Sequence, residues 1–102
     1  MDAIERIERF TQNLSFKEYL MDDKTSNAVT WNLEIIGEAA NRMPDSFLEQ
    51  YPMIEWRKII GLRHRIVHEY FGIDSMLVWR IIQNDLPNLK SSLQSIHNQM
   101  NQ

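Results

Sequence analysis

Residues 74–96 read DSMLVWRIIQNDLPNLKSSLQSI, and this stretch decides the fold. Leu77, Val78, Ile81, Ile82, Leu86, Leu89, Leu93 and Ile96 recur at three- and four-residue intervals, the period of one face of an α-helix. Asp74 suits the N-cap, because its carboxylate can accept from N–H groups that the first turn leaves free. Pro87 predicts a kink, since it cannot donate to the carbonyl of Gln83. The polar residues from about Asn98 predict a frayed end.

The same period runs through the residues upstream. Ile4, Ile7, Phe10 and Leu14 form one stripe on a helix expected from about Asp2 to Asn13. Ser15 and Glu18 have the spacing of a capping box, so a short helix carrying Phe16, Tyr19 and Leu20 should begin at Ser15 and end near Asp22. A long helix follows from Asp23 or Thr25 to about Met43, where Pro44 stops it. Ala28, Trp31, Ile35 and Ala39, with Ile36, Ala40 and Met43, are expected to form its buried face. A short helical turn should cover Asp45 to Tyr51, and Pro52 breaks the chain again. The next helix is expected from about Ile54 to Val67, with Trp56, Ile59, Ile60, Ile66 and Val67 inward. Gly61 lies mid-helix, where it permits close approach of another backbone. No strict alternation is long enough to predict a strand. The fold class is therefore all-α, an up-and-down bundle of four main helices plus short helical turns, in one domain over residues 1–102.

Composition narrows the function. The chain has 102 residues, no cysteine and a net charge of −3. Disulfides and thiolate metal sites are excluded, and a reducing compartment is permitted. No secretory signal or spanning segment is legible, so a cytoplasmic, membrane-free protein is expected. A protein relying on phosphate contacts is usually basic, so any nucleic-acid role needs a local basic patch. Residues 57–68 offer one: Arg57, Lys58, Arg63, Arg65 and two histidines, without a carboxylate.

Residues 56–71, WRKIIGLRHRIVHEYF, place Arg63, His68 and Tyr70 in the pattern R-x4-H-x-Y. This resembles the active-site motif of HEPN-domain ribonucleases. Its flanks are similar to the HepT-like branch: Asn32 to Ala40 (NLEIIGEAA), Tyr51-Pro52, Trp56, Val78-Trp79, and Asn84 to Pro87 (NDLP). The resemblance spans nearly the whole chain. It implies a metal-independent endoribonuclease toxin that needs no cofactor. It also implies a homodimer whose two motifs face each other across a cleft. The implied partner is an antitoxin with a minimal nucleotidyltransferase fold, which silences the toxin by transferring AMP to Tyr70.

The residue types suit that chemistry. Cleaving RNA without a metal uses the 2′-hydroxyl as nucleophile, a group to take its proton, and positive charge at the phosphorane. Histidine transfers protons near neutrality, so His68 is the candidate general base or acid. Arginine presents a permanently charged planar fork, so Arg63 is the candidate for the phosphate. Tyr70 would position substrate and accept AMP. His64, Arg65 and Glu38 are supporting candidates. DNA, which lacks the 2′-hydroxyl, should be refused.

Five residues on an ideal helix turn through about 500°, so Arg63 and His68 would point roughly 140° apart. Unwinding near His68, or a site assembled from two chains, would relieve this. His64 and His68 have a spacing that can bind a metal, but no H-E-x-x-H pattern or third ligand accompanies them, and no metal is expected. Trp31, Trp56 and Trp79 are expected as core or interface anchors rather than base-stacking platforms. A competing reading is a non-catalytic helical dimer that binds a nucleotidyltransferase partner or a nucleotide.

Overall fold

A computed structural model of the chain describes residues 1–68 and 72–101, with Val67 and His68 described by their backbone alone. Helix α1, Asp2–Thr11, buries Ala3, Ile4, Ile7 and Thr11. It stops two residues before Asn13, which adopts a left-handed φ of 64°. An asparagine tolerates that conformation better than most residues do. Helix α2, Phe16–Leu20, has the expected capping box. Glu18 N–H donates to Ser15 Oγ at 3.1 Å, and Ser15 N–H donates to Glu18 Oε1 at 2.9 Å.

Helix α3, Asp23–Asn41, is capped by Asp22 rather than by Asp23 or Thr25. Thr25 is instead the donor, giving its N–H to Asp22 Oδ1 at 3.0 Å and its hydroxyl to Oδ2 at 2.6 Å. Those two bonds, the hydroxyl's first, hold the Asp22 carboxyl below the ordinary carboxylate range. A carboxylate lowered on folding stabilises above its unfolded value, and the benefit disappears as pH falls through the lowered one. Asp22→Ala should therefore lower the thermal midpoint at neutral pH, and the deficit should close in acid. Melts of both proteins across the acid range check this, and a deficit independent of pH would contradict it.

The buried face of α3 is the expected one only at Ala40 and, packed against the core, Ile36. Val29, Leu33 and Ala40 point inward with Asn32 and Gly37. Trp31, Ile35 and Met43 are exposed, and so is Ala39. The helix carries two apolar stripes, and packing selects the one that includes the small Gly37. A Cβ there would lie 3.0 Å from the Ile59 carbonyl oxygen and 3.5 Å from that of Ile60. Gly37, not Gly61, thus permits the close approach of two backbones. Asn32 is tolerated inside because it donates to the Ala28 carbonyl at 2.8 Å and accepts from Arg6 Nη1 at 3.2 Å.

Helix α4 spans Asp45–Gln50. The single helix expected over 54–67 is instead two, α5 (Trp56–Ile60) and α6 (Leu62–Ile66), parted at Gly61. The helix ends before Val67. Val67–His68 forms strand β1, which pairs antiparallel with β2, Gly72–Ile73, in the register Val67–Ile73 and His68–Gly72. Two-residue strands are too short to leave an alternating signal, which is why the sequence does not reveal them. Gly72 has a φ of +78°, a conformation glycine adopts freely.

Helix α7, Ser75–Arg80, is capped by Asp74, which accepts from Leu77 N–H at 3.1 Å. A π-helical segment, Ile81–Asp85, joins it to α8, Leu86–Met100. Leu86 N–H donates five residues back, to Ile81 O. This wide turn accommodates Pro87, whose ring would collide with the carbonyl of Gln83 in regular α geometry. Helix α8 continues two residues past Asn98, where fraying was expected.

The architecture is all-α, a bundle of four main helical segments: α1, α3, α5–α6 and the run from α7 to α8. The main core gathers Ile4, Ile7, Leu33, Leu62, Ile66, Val78, Ile81 and Leu86 from all four, with Tyr19 from α2. A second cluster of Tyr51, Ile54 and Ile96 packs with Phe47 and Trp56. Among the described residues no helix is long and apolar enough to cross a membrane.

Candidate functional site

The close contact at Gly37 sets α3 against α5 and α6, and a groove of about 660 Å³ opens on their outer side. Trp31, Glu34, Ile35, Glu38 and Arg42 line it from α3, and Ile60, Arg63 and His64 from the facing side. Arg63 is three-quarters exposed, and its Nε lies 3.4 Å from Glu34 Oε1. Glu38 pairs with Arg42 one turn along α3, at 3.1 Å. Glu34, not the candidate Glu38, therefore holds the motif arginine. The lining mixes apolar residues with both signs of charge, and the motif arginine, like Arg42, is largely open to solvent.

Arg65 goes elsewhere. Residues two apart on a helix point to nearly opposite sides. Its Nη2 lies 3.5 Å from Asp85 Oδ2, in a separate groove of about 130 Å³. Lys58 and Glu55 share that groove, joined at 2.8 Å. Lys58 holds the Glu55 carboxyl low, through its hydrogen bond and then its charge, and Arg65 adds to the effect. Among the described side chains the run of cations that begins at Arg57 is thus no continuous basic surface. Lys58 and Arg65 line one groove and Arg63 and His64 the other, and Lys58, Arg63 and Arg65 each meet a carboxylate.

The model of the ribonuclease HepT-like family matches residues 1–96. The chain belongs to that family. Among its relatives is a protein of Thermococcus cleftensis named "Probable ribonuclease HepT", 40% identical over 95 residues that cover 93% of this chain and 86% of that one. Two proteins of Methanocaldococcus jannaschii are also similar. "Putative RNase MJ0127" is 42% identical over 79 residues, 78% of this chain and 65% of its own. "Putative RNase MJ1380" is 32% identical over 96 residues, 94% and 88%. No solved structure matches the chain significantly.

In this HepT-like protein the three motif residues are described to different extents. Arg63 stands at the groove. The backbone of His68 lies in β1, two residues beyond the end of α6, so it does not continue the helix. The ideal-helix separation from Arg63 accordingly does not apply. Its side chain, and all of Tyr70, lie outside the described residues. Glu34, which pairs with Arg63, and Trp31, which lines the same groove, are residues that sequence reasoning did not place there. Their spacing with Ile35 and Glu38, at three and four residues, was the available signal, but it equally fits an exposed helical face.

Proposed function

We propose that this HepT-like protein is a metal-independent endoribonuclease, the toxin of a toxin–antitoxin pair. The observation that carries the reading is Arg63 of the R-x4-H-x-Y pattern, exposed on the rim of a groove in a member of a ribonuclease family. The RNA 2′-oxygen attacks the adjacent phosphorus while His68 takes its proton. The bond to the 5′-oxygen breaks, that oxygen is protonated, and a cyclic phosphate remains. Arg63 stabilises the phosphorane charge by exchanging Glu34 for a non-bridging oxygen. Tyr70 positions the substrate.

One histidine per motif cannot both take and give a proton in one step. A homodimer with facing motifs supplies the second. An apolar groove of about 410 Å³ on the other flank of α3, bordered by Ile35, Ile36, Met43 and Phe47, supports a second copy seated beside the charged groove. Ile35 borders both. The antitoxin is a minimal nucleotidyltransferase. The Tyr70 oxygen attacks the α-phosphate of ATP, pyrophosphate leaves, and the added AMP silences cleavage. A cytoplasmic setting fits the cysteine-free chain.

The carboxylate on each of Lys58, Arg63 and Arg65 favours a second reading, a non-catalytic dimer that binds the nucleotidyltransferase or a nucleotide. Purified protein incubated with total RNA, beside His68→Ala, separates the two. Cleavage by the unsubstituted protein, reduced about 100-fold or more in His68→Ala, is the expected result. Equal cleavage by both, or by neither, would sink the enzyme reading. Co-expression with the partner should add AMP to Tyr70, and an unmodified Tyr70 by mass spectrometry would count against the silencing route.

A further inference from the structure

We propose that Trp31 is a stacking platform for an unpaired RNA base beside the scissile phosphate. This deepens the ribonuclease reading and rests on it. The three tryptophans of the chain are not equivalent. Trp79 packs on Tyr19 and Phe16, with ring centroids at 5.3 and 5.9 Å. Trp56 donates its Nε1–H to the Tyr51 carbonyl at 3.0 Å and lies against Phe47. Trp31 is 64% exposed and lines the groove that Arg63 borders. An exposed indole of this size forgoes burial that a core position would give it, and it sits where a ligand would cover it.

Its position relative to the phosphate site is specific. Glu34 holds Arg63 and follows Trp31 on α3 by three residues, roughly 4.5 Å of axial rise. A phosphate taken by Arg63 therefore leaves the neighbouring base within reach of the indole face. Single-strand binding sites combine cations that follow the backbone with aromatic faces that take the bases. The rim also matches this occupant. Glu34, Glu38, Arg42 and Arg63 line the same groove as Trp31, whereas the centres of protein interfaces are depleted in charged residues. The apolar groove on the other flank of α3 better suits a second copy of the chain.

A short oligodeoxyadenylate tests the platform without cleavage, because it lacks the 2′-hydroxyl. Trp31→Ala should weaken its binding about 5- to 100-fold, and Trp31→Phe should restore most of it. In RNA cleavage the loss should appear mainly in KM, and sedimentation should show an unchanged oligomeric state. Equal binding by Trp31→Ala, or no binding by the unsubstituted protein, overturns the platform. So does binding lost only as the oligomer dissociates, which would assign Trp31 to a contact between copies. Failure of the unsubstituted protein to cleave RNA would sink the ribonuclease reading separately, since oligodeoxyadenylate binding has its own readout.

Discussion

Arg63→Ala should lower RNA cleavage by about two to three orders of magnitude while leaving thermal unfolding almost unchanged. Removing one preorganised donor from a developing oxyanion costs roughly 3 kcal/mol of transition-state stabilisation. The fold loses far less. The Arg63 side chain is 75% exposed, and its described ion pair with Glu34 spans 3.4 Å. Exposed pairs of this kind contribute about 0–1 kcal/mol. Arg63→Lys sharpens the prediction. It keeps the charge but loses the planar fork, so cleavage should fall between the other two proteins. Rates on a defined RNA, read beside melting curves, check both parts. Unchanged cleavage in Arg63→Ala would remove the guanidinium from the mechanism. A parallel collapse of stability would show that the effect runs through folding.

Ile66→Ala should have the opposite profile, a large loss of stability that carries activity down with it. Ile66 is fully buried at the end of α6, within the cluster that joins α1, α3, α6 and α7. Its carbonyl accepts from Asp74 N–H at 2.6 Å, the bond that ties the end of α6 to the N-cap of α7. Truncating a buried isoleucine to alanine costs about 2–5 kcal/mol, because the lost transfer energy is compounded by a cavity. Domains of this size carry a total margin of roughly 5–15 kcal/mol, so the midpoint should fall by on the order of 10 °C or more. Ile66→Val, which removes one methyl group, should cost only about 0.5–1.5 kcal/mol. Denaturant titrations of the two variants measure the difference. A cost below about 1 kcal/mol for Ile66→Ala would mean that the site collapses around the deletion. The pair of experiments separates the residue that meets substrate from the residue that holds its helix.

Helix positions were legible where a local signal marks them. The Ser15–Glu18 capping box starts α2, Asp74 caps α7, and the spacing of Leu77 to Ile96 runs through α7, the π segment and α8. Each signal acts within about one turn of the chain, so no knowledge of the packing is needed. The Arg63, His68 and Tyr70 pattern was legible for a different reason. Its flanks, from Asn32 to Pro87, match one family along most of the chain.

The face of α3 could not be read in the same way. Two apolar stripes compete there, and hydrophobic spacing does not distinguish them. The choice falls to Gly37, whose missing side chain lets the backbone of α5 approach, and it leaves Trp31 and Ile35 outside. The basic run was misleading as a surface for a related reason. Glu34 and Asp85, which meet Arg63 and Arg65, are distant in sequence and arrive only through packing.

The chain's linear order thus settles the helical class, the caps of α2 and α7 and the family motif, because these depend on neighbours a few residues away or on a pattern carried whole along the chain. The groove beside Arg63, the carboxylate that holds it, and the indole exposed next to it come from the assembled bundle. They depend on which helix faces can touch, and a close backbone contact at one glycine makes that selection.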